Sequence, residues 1–329
     1  MPKIQNIDMN AFQEKMYKHL KKQFGTGESV FLSDSKNLFY SGIRGKIFEL
    51  QEKHGFDFHR FVIQPHVASS QAACINLFLP IMESECAVDV LKTVKTDIAS
   101  IDKSHISDGF TFEYWRDNPR PNDGSKGLLN DHSKTAGTDA DFALSYIDNE
   151  NRHCLWLVEH KLTETEFTQC NAVHNGKHKE LLAKCSNYTA QHLMNNDEDC
   201  YYCHARHFNY WQLTKKYIEA FPNLDIFENG CPFMDGMCQL WRNTLLDKAA
   251  QEEYHYDKVF FSVVKPHDNI ALNNSLKQFR AIVDPVLFSV FHPTTIVDAA
   301  ISCSDSALRD WGKWYTDTYL NYDLPQNIS

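Results

Sequence analysis

Long apolar runs are scarce in this sequence. The longest, from Ala72 to Met82, is interrupted by Asn76 and Pro80, and it is much shorter than the roughly 20 apolar residues that a membrane-spanning helix needs. The first residues, Met-Pro-Lys-Ile-Gln-Asn, lack the apolar stretch of a secretory signal. We therefore expect a soluble, cytoplasmic protein with no membrane segment.

Basic charge is also in short supply. The chain has 33 Lys and Arg residues against 43 Asp and Glu residues, which gives a formal net charge of −10. Contacts to nucleic-acid phosphates depend on Lys and Arg. The charge therefore argues against a protein whose whole surface binds nucleic acid, although it leaves room for a local basic groove or a metal-bridged site.

Several familiar signatures are missing as well. The sequence has no internal repeat, low-complexity run, Gly-rich phosphate loop or Ser/His/Asp motif. Its ten cysteines are scattered, and without a secretory signal we do not expect disulfides. Hydrophobic residues make up 43% of the chain and aromatic residues 13%, which is enough for a packed core and argues against extensive disorder.

Hydrophobic periodicity predicts a chain of mixed helices and strands. The predicted helices cover residues 8–23, 42–53, 69–95, 179–194, 235–251, 274–283 and 306–320, with Pro80 expected to kink or divide the third of them. The predicted strands cover residues 109–115, 141–147, 154–158 and 258–264, with a further possible strand at 286–291.

The most informative stretch runs from residue 137 to residue 166, where two predicted strands are joined by a polar turn. The second strand, 154–158, is almost wholly apolar, as expected for a central strand covered on both faces. It ends in Glu159-His160-Lys161. Because side chains alternate along a strand, Glu159 and Lys161 should point to the same side, and Asp141 on the neighbouring strand could bring a second carboxylate there.

This combination suits metal-assisted chemistry. A carboxylate and an ammonium group at the end of a buried strand are costly to desolvate unless they have partners or a task. Two carboxylates suit a hard cation such as Mg²⁺, and Lys161 could then orient or deprotonate a water molecule or stabilise charge on a phosphate. The alternative is a surface ion pair at the strand exit, with Asp141 as a turn residue.

Asp141, followed one hairpin later by Glu159-x-Lys161 at the end of an apolar strand, resembles the PD-(D/E)xK nuclease superfamily. Residues 69–78, Phe112-Glu113-Tyr114 and residues 239–243 are also similar to a bacterial subfamily of uncharacterised restriction-endonuclease-like proteins. The resemblance covers residues 40–265. One departure is that no Pro precedes Asp141.

The resemblance implies an α/β fold with a restriction-endonuclease-like core, in which a central mixed sheet is flanked by helices and extended by N- and C-terminal helices. A single nuclease-like domain would comprise an N-terminal helical part (1–107), a core with the active-site strands (108–265) and a C-terminal helical extension (266–329). It implies an Mg²⁺- or Mn²⁺-dependent nuclease acting on nucleic acid, with DNA as the expected substrate.

The resemblance also implies a role for each site residue. Asp141 and Glu159 would hold the metal, with Glu49 on a preceding helix as a further ligand, and Lys161 would position the hydrolytic water. The helix after the active-site strand would offer Arg242, or secondly Gln239, to a phosphate. For both Glu49 and Arg242 an ordinary structural role is the alternative.

Cysteine and histidine residues are densest between residues 185 and 238. Cys200 and Cys203 have the spacing of half a zinc site, and with Cys185, Cys231 and Cys238 they could hold Zn²⁺ or an iron–sulfur cluster. Isolated thiols are the alternative, because the downstream cysteines lack a regular spacing. Two further functions therefore stand beside the nuclease: a non-catalytic binding or scaffold protein of the same fold, and a protein centred on this metal region. The oligomeric state is left open.

Overall fold

The computed structural model describes residues 9–119, 124–133, 137–170, 179–227, 230–234 and 236–322. Six strands of this part form one mixed sheet: β1 (Ile98–Ile101), β2 (Phe110–Tyr114), β3 (Ala140–Asp148), β4 (His153–His160), β5 (Lys258–Val264) and β6 (Phe288–Phe291). The order across the sheet is β1-β3-β4-β5-β6. β2 pairs with the same edge of β3 as β1 does, along the first half of β3. The pairs β1–β3, β2–β3 and β3–β4 are antiparallel, whereas β4–β5 and β5–β6 are parallel.

The helices before the sheet are α1 (Ala11–Gln23), α2 (Arg44–His54), α3 (Arg60–Ile63), α4 (Ser70–Met82) and α5 (Ala87–Leu91). Between β4 and β5 lie α6 (Lys179–Cys185), α7 (Ala190–Asn195), α8 (Tyr201–Arg206), α9 (Tyr210–Lys216) and α10 (Cys238–Tyr254). The last helices are α11 (Asn273–Ile282), α12 (Pro293–Ser302) and α13 (Ser306–Tyr315), and α13 continues into a π-helical turn, Thr316–Leu320. All helices of the described chain are too short or too polar to cross a lipid bilayer.

β4 lies at the centre of the sheet, and its two faces belong to separate hydrophobic clusters. Trp156 and Val158 face a cluster formed with α1, α2, α4, α12 and α13, whereas Leu155 and Leu157 face one formed with α7 to α11. Burial on both faces explains why this strand reads as a continuous apolar run. The predicted mixed sheet flanked by helices, with helical extensions at both ends, is confirmed.

α4 keeps a proline inside its last turn, and the helix is not divided there. Pro80 has no N–H, so it cannot donate to the carbonyl group of Asn76 four residues earlier. That carbonyl accepts instead from the indole Nε1–H of Trp311, at 2.8 Å. The Asn76 side chain is also fully satisfied: it accepts from the Tyr40 N–H and donates to the Leu38 carbonyl and the Tyr319 hydroxyl. The hydrogen bond from Trp311 to the Asn76 carbonyl therefore links α13 to α4.

Several predicted boundaries were wrong. The helix predicted over 69–95 ends at Met82, and α5 and β1 follow it. The helix predicted over 179–194 is two short helices, α6 and α7, and α12 and β1 were not predicted at all. β1 has only four residues and gives little local signal. α12 lacks a side-chain cap, and its one start signal, Pro293 at the first helical position, was missed.

Candidate active site

The hairpin of β3 and β4 brings Asp141 and Glu159 together. The register pairs Phe142 with Val158, so Asp141 and Glu159 occupy the next positions on the two strands. Their side chains lie on the face of the sheet that α10 covers, because Ala143 and Leu157 of that face belong to the same cluster as Leu240 and Trp241. One Asp141 oxygen, Oδ2, accepts the backbone N–H of His160 at 2.6 Å.

Glu159 is held by three donors. Its Oε1 lies 2.9 Å from Lys161 Nζ and accepts from Gln239 Nε2 at 2.7 Å. Its Oε2 accepts from Asn243 Nδ2 at 2.9 Å. Only 2% of Glu159 and 7% of Lys161 is exposed. The prediction that Glu159 and Lys161 point to the same side is confirmed, and the alternative of a surface ion pair at a strand exit was wrong about their exposure.

A third carboxylate, Glu113 of β2, joins this cluster. The β2–β3 register pairs Phe112 with Phe142 and Tyr114 with Ala140, and leaves Glu113 and Asp141 unpaired between them. Glu113 has φ +50°, a left-handed conformation that is uncommon for residues other than glycine and that costs free energy. Strain of this kind is often found where a functional side chain must be aimed.

Glu113 and Asp141 have raised pKa values, so each holds its proton more firmly than an ordinary carboxyl group. Burial raises the pKa of Glu113 to about 8, and the negative charges of Asp139 and Glu159 add to this rise, whereas a hydrogen bond from Gln71 opposes it. Burial also raises the pKa of Asp141 well above its ordinary value, and the charges of Glu159 and Glu113 act in the same direction. Like charges in a poorly solvated site are the cause.

Lys161 remains a cation in this site. Burial alone would lower its pKa, but the negative charges of Glu159, Glu164 and Asp141 outweigh burial and raise it above its ordinary value. A charged lysine here can orient a water molecule and offset negative charge. Whether Lys161 positions the attacking water or deprotonates it stays a prediction.

The N-terminal end of α4 supports the cluster from the other side. Ser70 Oγ donates to the His160 carbonyl at 2.7 Å. Gln71 is buried, hydrogen-bonds to Glu113, donates to the Asp57 carbonyl at 3.1 Å and accepts from the His59 N–H at 2.8 Å. Glu113, Gln71 and Asn243 were not predicted as site residues. The only signal for them was that each lies in a stretch on which the family resemblance rested.

The chemistry of the donor set fits a hard divalent cation. When such an ion binds, two carboxylic acids with raised pKa values would release their protons to solvent, and the cation would offset the repulsion between the two carboxylates. Asn243 Oδ1 is buried and, among the described residues, has no hydrogen-bond partner, so one more oxygen atom could serve as a metal ligand. Within the described part of the chain, no three carboxylates of this cluster have oxygens within 4.8 Å of one another. Without side-chain movement, two carboxylates at most would bind one ion.

Residues 6–320 match the model of a protein family described as a restriction endonuclease associating with ARP. The chain belongs to this family. A match over nearly the whole chain to a restriction-endonuclease family agrees with the mixed α/β fold and supports a nuclease-like function with a nucleic-acid partner. No curated protein and no solved structure matches the chain significantly.

The other predicted residues of this restriction-endonuclease family member lie in different surroundings. Glu49 is exposed on α2, whereas Gln71, on another of the helices before the sheet, hydrogen-bonds to Glu113. Gln239 contacts Glu159 directly. Arg242 hydrogen-bonds instead to the Tyr210 hydroxyl on α9, and its charge acts on Asp139. The metal and phosphate roles of these residues stay predictions.

In the cysteine-rich region, burial raises the pKa of Cys231, and three other thiols lie near enough for their charges to raise it further: Cys200, Cys185 and Cys238. Cys200 contacts Cys203, and Cys238 contacts Cys170. All ten cysteines are free thiols. Among the described residues, no three of Cys185, Cys200, Cys203, Cys231 and Cys238 have sulfurs within 4.8 Å of one another. A zinc or iron–sulfur site here would need a different arrangement and stays a prediction.

Proposed function

We propose that this protein is a metal-dependent nuclease of the PD-(D/E)xK type that hydrolyses phosphodiester bonds, with DNA as the substrate. The observation that carries the proposal is the adjacency of Asp141 and Glu159 at the ends of two paired strands, with the Lys161 ammonium 2.9 Å from Glu159. The family match agrees with the reaction class.

Each residue has a task in this reaction. Asp141 and Glu159 would hold Mg²⁺ or Mn²⁺. Glu113, whose charge acts on Asp141, is the third candidate ligand, and its side chain would have to move to reach the same ion. The bound ion supplies Lewis-acid stabilisation of the phosphate charge. Lys161 keeps its proton and positions the attacking water in line with the scissile bond.

Gln239 and Asn243 have a positioning task. They lie one turn apart on α10, and each donates one hydrogen bond to a different oxygen of Glu159. Two such donors fix the plane of the carboxylate, so that a metal ligand on a strand end keeps one orientation. Loss of either amide should weaken metal binding without removing a ligand.

A cleavage assay tests the proposal. Plasmid, linear and single-stranded DNA, and RNA, are incubated with Mg²⁺ or Mn²⁺ and with wild type, Lys161→Ala or Lys265→Ala. Lys265 is the matched control because it is 3% exposed and follows β5 as Lys161 follows β4, yet it donates to the Asn269 carbonyl at 2.9 Å and not to a carboxylate.

We expect metal-dependent cutting of DNA that Lys161→Ala loses by at least about 100-fold, the usual scale for losing a group that stabilises transition-state charge, and that Lys265→Ala largely retains. Cutting that survives Lys161→Ala would place the reaction elsewhere. Failure of folded wild type to cut any substrate would favour the second candidate, a binding or scaffold protein of the same fold, which the net charge of −10 also suits.

Metal binding separates these two functions. Calorimetry with Mn²⁺ should show binding to wild type that is lost in Asp141→Asn. Because Ca²⁺ also binds oxygen ligands, a titration with Ca²⁺ should show the same loss of binding in Asp141→Asn. A protein that neither binds these ions nor cuts nucleic acid would refute the nuclease proposal.

A further inference from the structure

A second group of potential metal ligands lies at the opposite end of β4. Asp102 follows β1, His105 lies three residues later, and His153 is the first residue of β4. Among the described residues, this is the set in which three ligand atoms lie within 4.8 Å of one another. Glu159 lies six residue steps along the extended strand from His153, a distance of about 20 Å, so this group is distinct from the candidate active site.

Asp102 is buried and precisely oriented. Its Oδ1 accepts from the backbone N–H and the hydroxyl of Ser104, at 2.8 and 2.6 Å. Its Oδ2 lies 2.8 Å from His153 Nδ1 and 3.0 Å from His105 Nδ1. Burial would raise the pKa of Asp102, but the hydrogen bonds from His153 and Ser104 outweigh burial and lower it. Oδ2 thus faces two imidazole nitrogens and also accepts from the Ser145 hydroxyl at 3.3 Å.

In His105, the contact with a carbonyl group places the ring hydrogen on Nε2 and not on Nδ1, the nitrogen that faces Asp102. His105 Nε2 lies 3.1 Å from the Tyr254 carbonyl, which can only accept, so Nε2 carries the hydrogen. In that tautomer Nδ1 presents a lone pair to Asp102 Oδ2 at 3.0 Å, with the Ser104 hydroxyl 3.1 Å away. Two acceptors at this distance repel each other unless a proton or a metal ion lies between them.

A metal ion matches this arrangement. Histidine ligands in metal sites usually donate their other ring N–H to a carbonyl or carboxylate group, which fixes the tautomer, and the Tyr254 carbonyl supplies that contact. Stacking on Tyr256, with ring centroids 4.3 Å apart, holds the His105 ring in place. We propose that Asp102, His105 and His153 bind a Zn²⁺ ion through Oδ2 and the two Nδ1 atoms.

The distances require only a small adjustment. Ligand atoms in a tetrahedral zinc site are about 3.3 Å apart, compared with 2.8 and 3.0 Å between Asp102 Oδ2 and the two nitrogens. The His153 side chain is 44% exposed, so the ion can enter and a water molecule can occupy the fourth position. Two imidazole nitrogens and one carboxylate oxygen suit Zn²⁺ better than Mg²⁺.

Such an ion would join segments that are distant in sequence. Asp102 and His105 belong to the connection between β1 and β2, His153 opens β4, and Tyr254 ends α10. An ion that binds the folded chain and not the unfolded one stabilises the fold in proportion to the logarithm of its concentration over its dissociation constant. We therefore assign this site a structural role.

Zinc binding and thermal unfolding test the assignment on the full chain. Protein is freed of metal with a chelator and titrated with Zn²⁺ against a chromophoric competitor, and its melting temperature is measured with and without excess Zn²⁺. We expect one equivalent of Zn²⁺ with micromolar or tighter affinity and a higher melting temperature. His153→Ala should weaken binding by at least about 100-fold and abolish the thermal shift, because the loss of even an outer-shell partner costs about 10–100-fold and His153 would be one of three direct ligands.

Three control variants locate the ion. His267→Ala removes another exposed histidine that lies 3.0 Å from a carboxylate, Asp268, and should bind Zn²⁺ like wild type. Asp141→Asn should also retain it, which separates this site from the proposed nuclease site. Cys200→Ser should retain it as well, and Co²⁺-loaded wild type should lack the charge-transfer band of thiolate ligands.

The opposite results would overturn the proposal. If folded wild type binds no Zn²⁺, a proton on His105 explains the contact with Asp102 instead. If His153→Ala binds as wild type does, or if Cys200→Ser loses the ion, the zinc site lies elsewhere. His153→Gln serves as a second variant if His153→Ala fails to fold, because it keeps a polar side chain at the strand start.

Discussion

Replacement of Lys161 by methionine should destabilise the protein in a pH-dependent way. Lys161 is the cationic partner of Glu159, which is 2% exposed. Removing one partner of a buried pair leaves an uncompensated charge, at a cost of about 3–5 kcal/mol. Gln239 and Asn243 still donate to Glu159 in the variant, which places the expected loss at the lower end of this range.

A second limit on the loss comes from protonation. The variant can avoid the buried charge by taking up a proton on Glu159, because a neutral carboxyl group is far easier to bury. For a carboxyl group of ordinary pKa near 4.3, this costs about 3.7 kcal/mol at pH 7 and about 1 kcal/mol at pH 5. We therefore expect Lys161→Met to lose about 3 kcal/mol of unfolding free energy at pH 7 and about 1 kcal/mol at pH 5.

Urea unfolding followed by circular dichroism, with chelator present throughout, measures both values. Lys265→Met is the control, because its loss leaves the Asn269 and Pro266 carbonyls without a donor but strands no carboxylate, so its effect should not depend on pH. The double variant Glu159→Gln/Lys161→Met should recover most of the loss. A loss for Lys161→Met below about 1 kcal/mol at pH 7, or the same loss at pH 5, would refute the reasoning.

Two further predictions concern Glu113 and Trp311. The pKa of Glu113 is raised to about 8, so the folded state holds a proton that the unfolded state releases near pH 4.5. The unfolding free energy of wild type should therefore fall by up to about 1.4 kcal/mol per pH unit between pH 5 and 8, relative to Glu113→Gln. Parallel urea-unfolding profiles for the two proteins would contradict this. Trp311→Phe should lose about 1–3 kcal/mol of unfolding free energy in urea, because the Asn76 carbonyl that Pro80 leaves free then has no donor. Trp314→Phe, which changes a partly buried ring of the same helix, should lose less. Equal losses would show that ring volume and not the hydrogen bond matters.

The central strands were predictable because their burial dictates their composition. Residues 154–158 are apolar on both faces and 258–264 nearly so, and the structure places strands at His153–His160 and Lys258–Val264. Alternation along a strand also sufficed to put Glu159 and Lys161 on one side. By contrast, the four-residue strand β1 is exposed at its two middle residues and carries too little apolar character to be recognised.

Other parts of the candidate site depend on tertiary contacts that no local pattern encodes. Glu113 reaches the cluster only because φ +50° reverses the alternation of β2, so that Phe112 and Tyr114 belong to different hydrophobic clusters. Gln71 reaches it because α4 packs against the end of β4. In sequence, a glutamate in a regular strand and a glutamine at a helix start look the same whether or not they approach a site.

The position of β4 between β3 and β5 has a consequence for how the protein is made. β3 and β4 leave the ribosome together, but the residues that satisfy Glu159 lie on α10, and the parallel partner of β4 follows later still. Until that long intervening segment has been synthesised, Glu159 has no amide donors and β4 has an unpaired edge. The complete set of contacts around Glu159 can therefore form only after α10 has been synthesised, and any catalytic activity that depends on it begins only when most of the chain is in place.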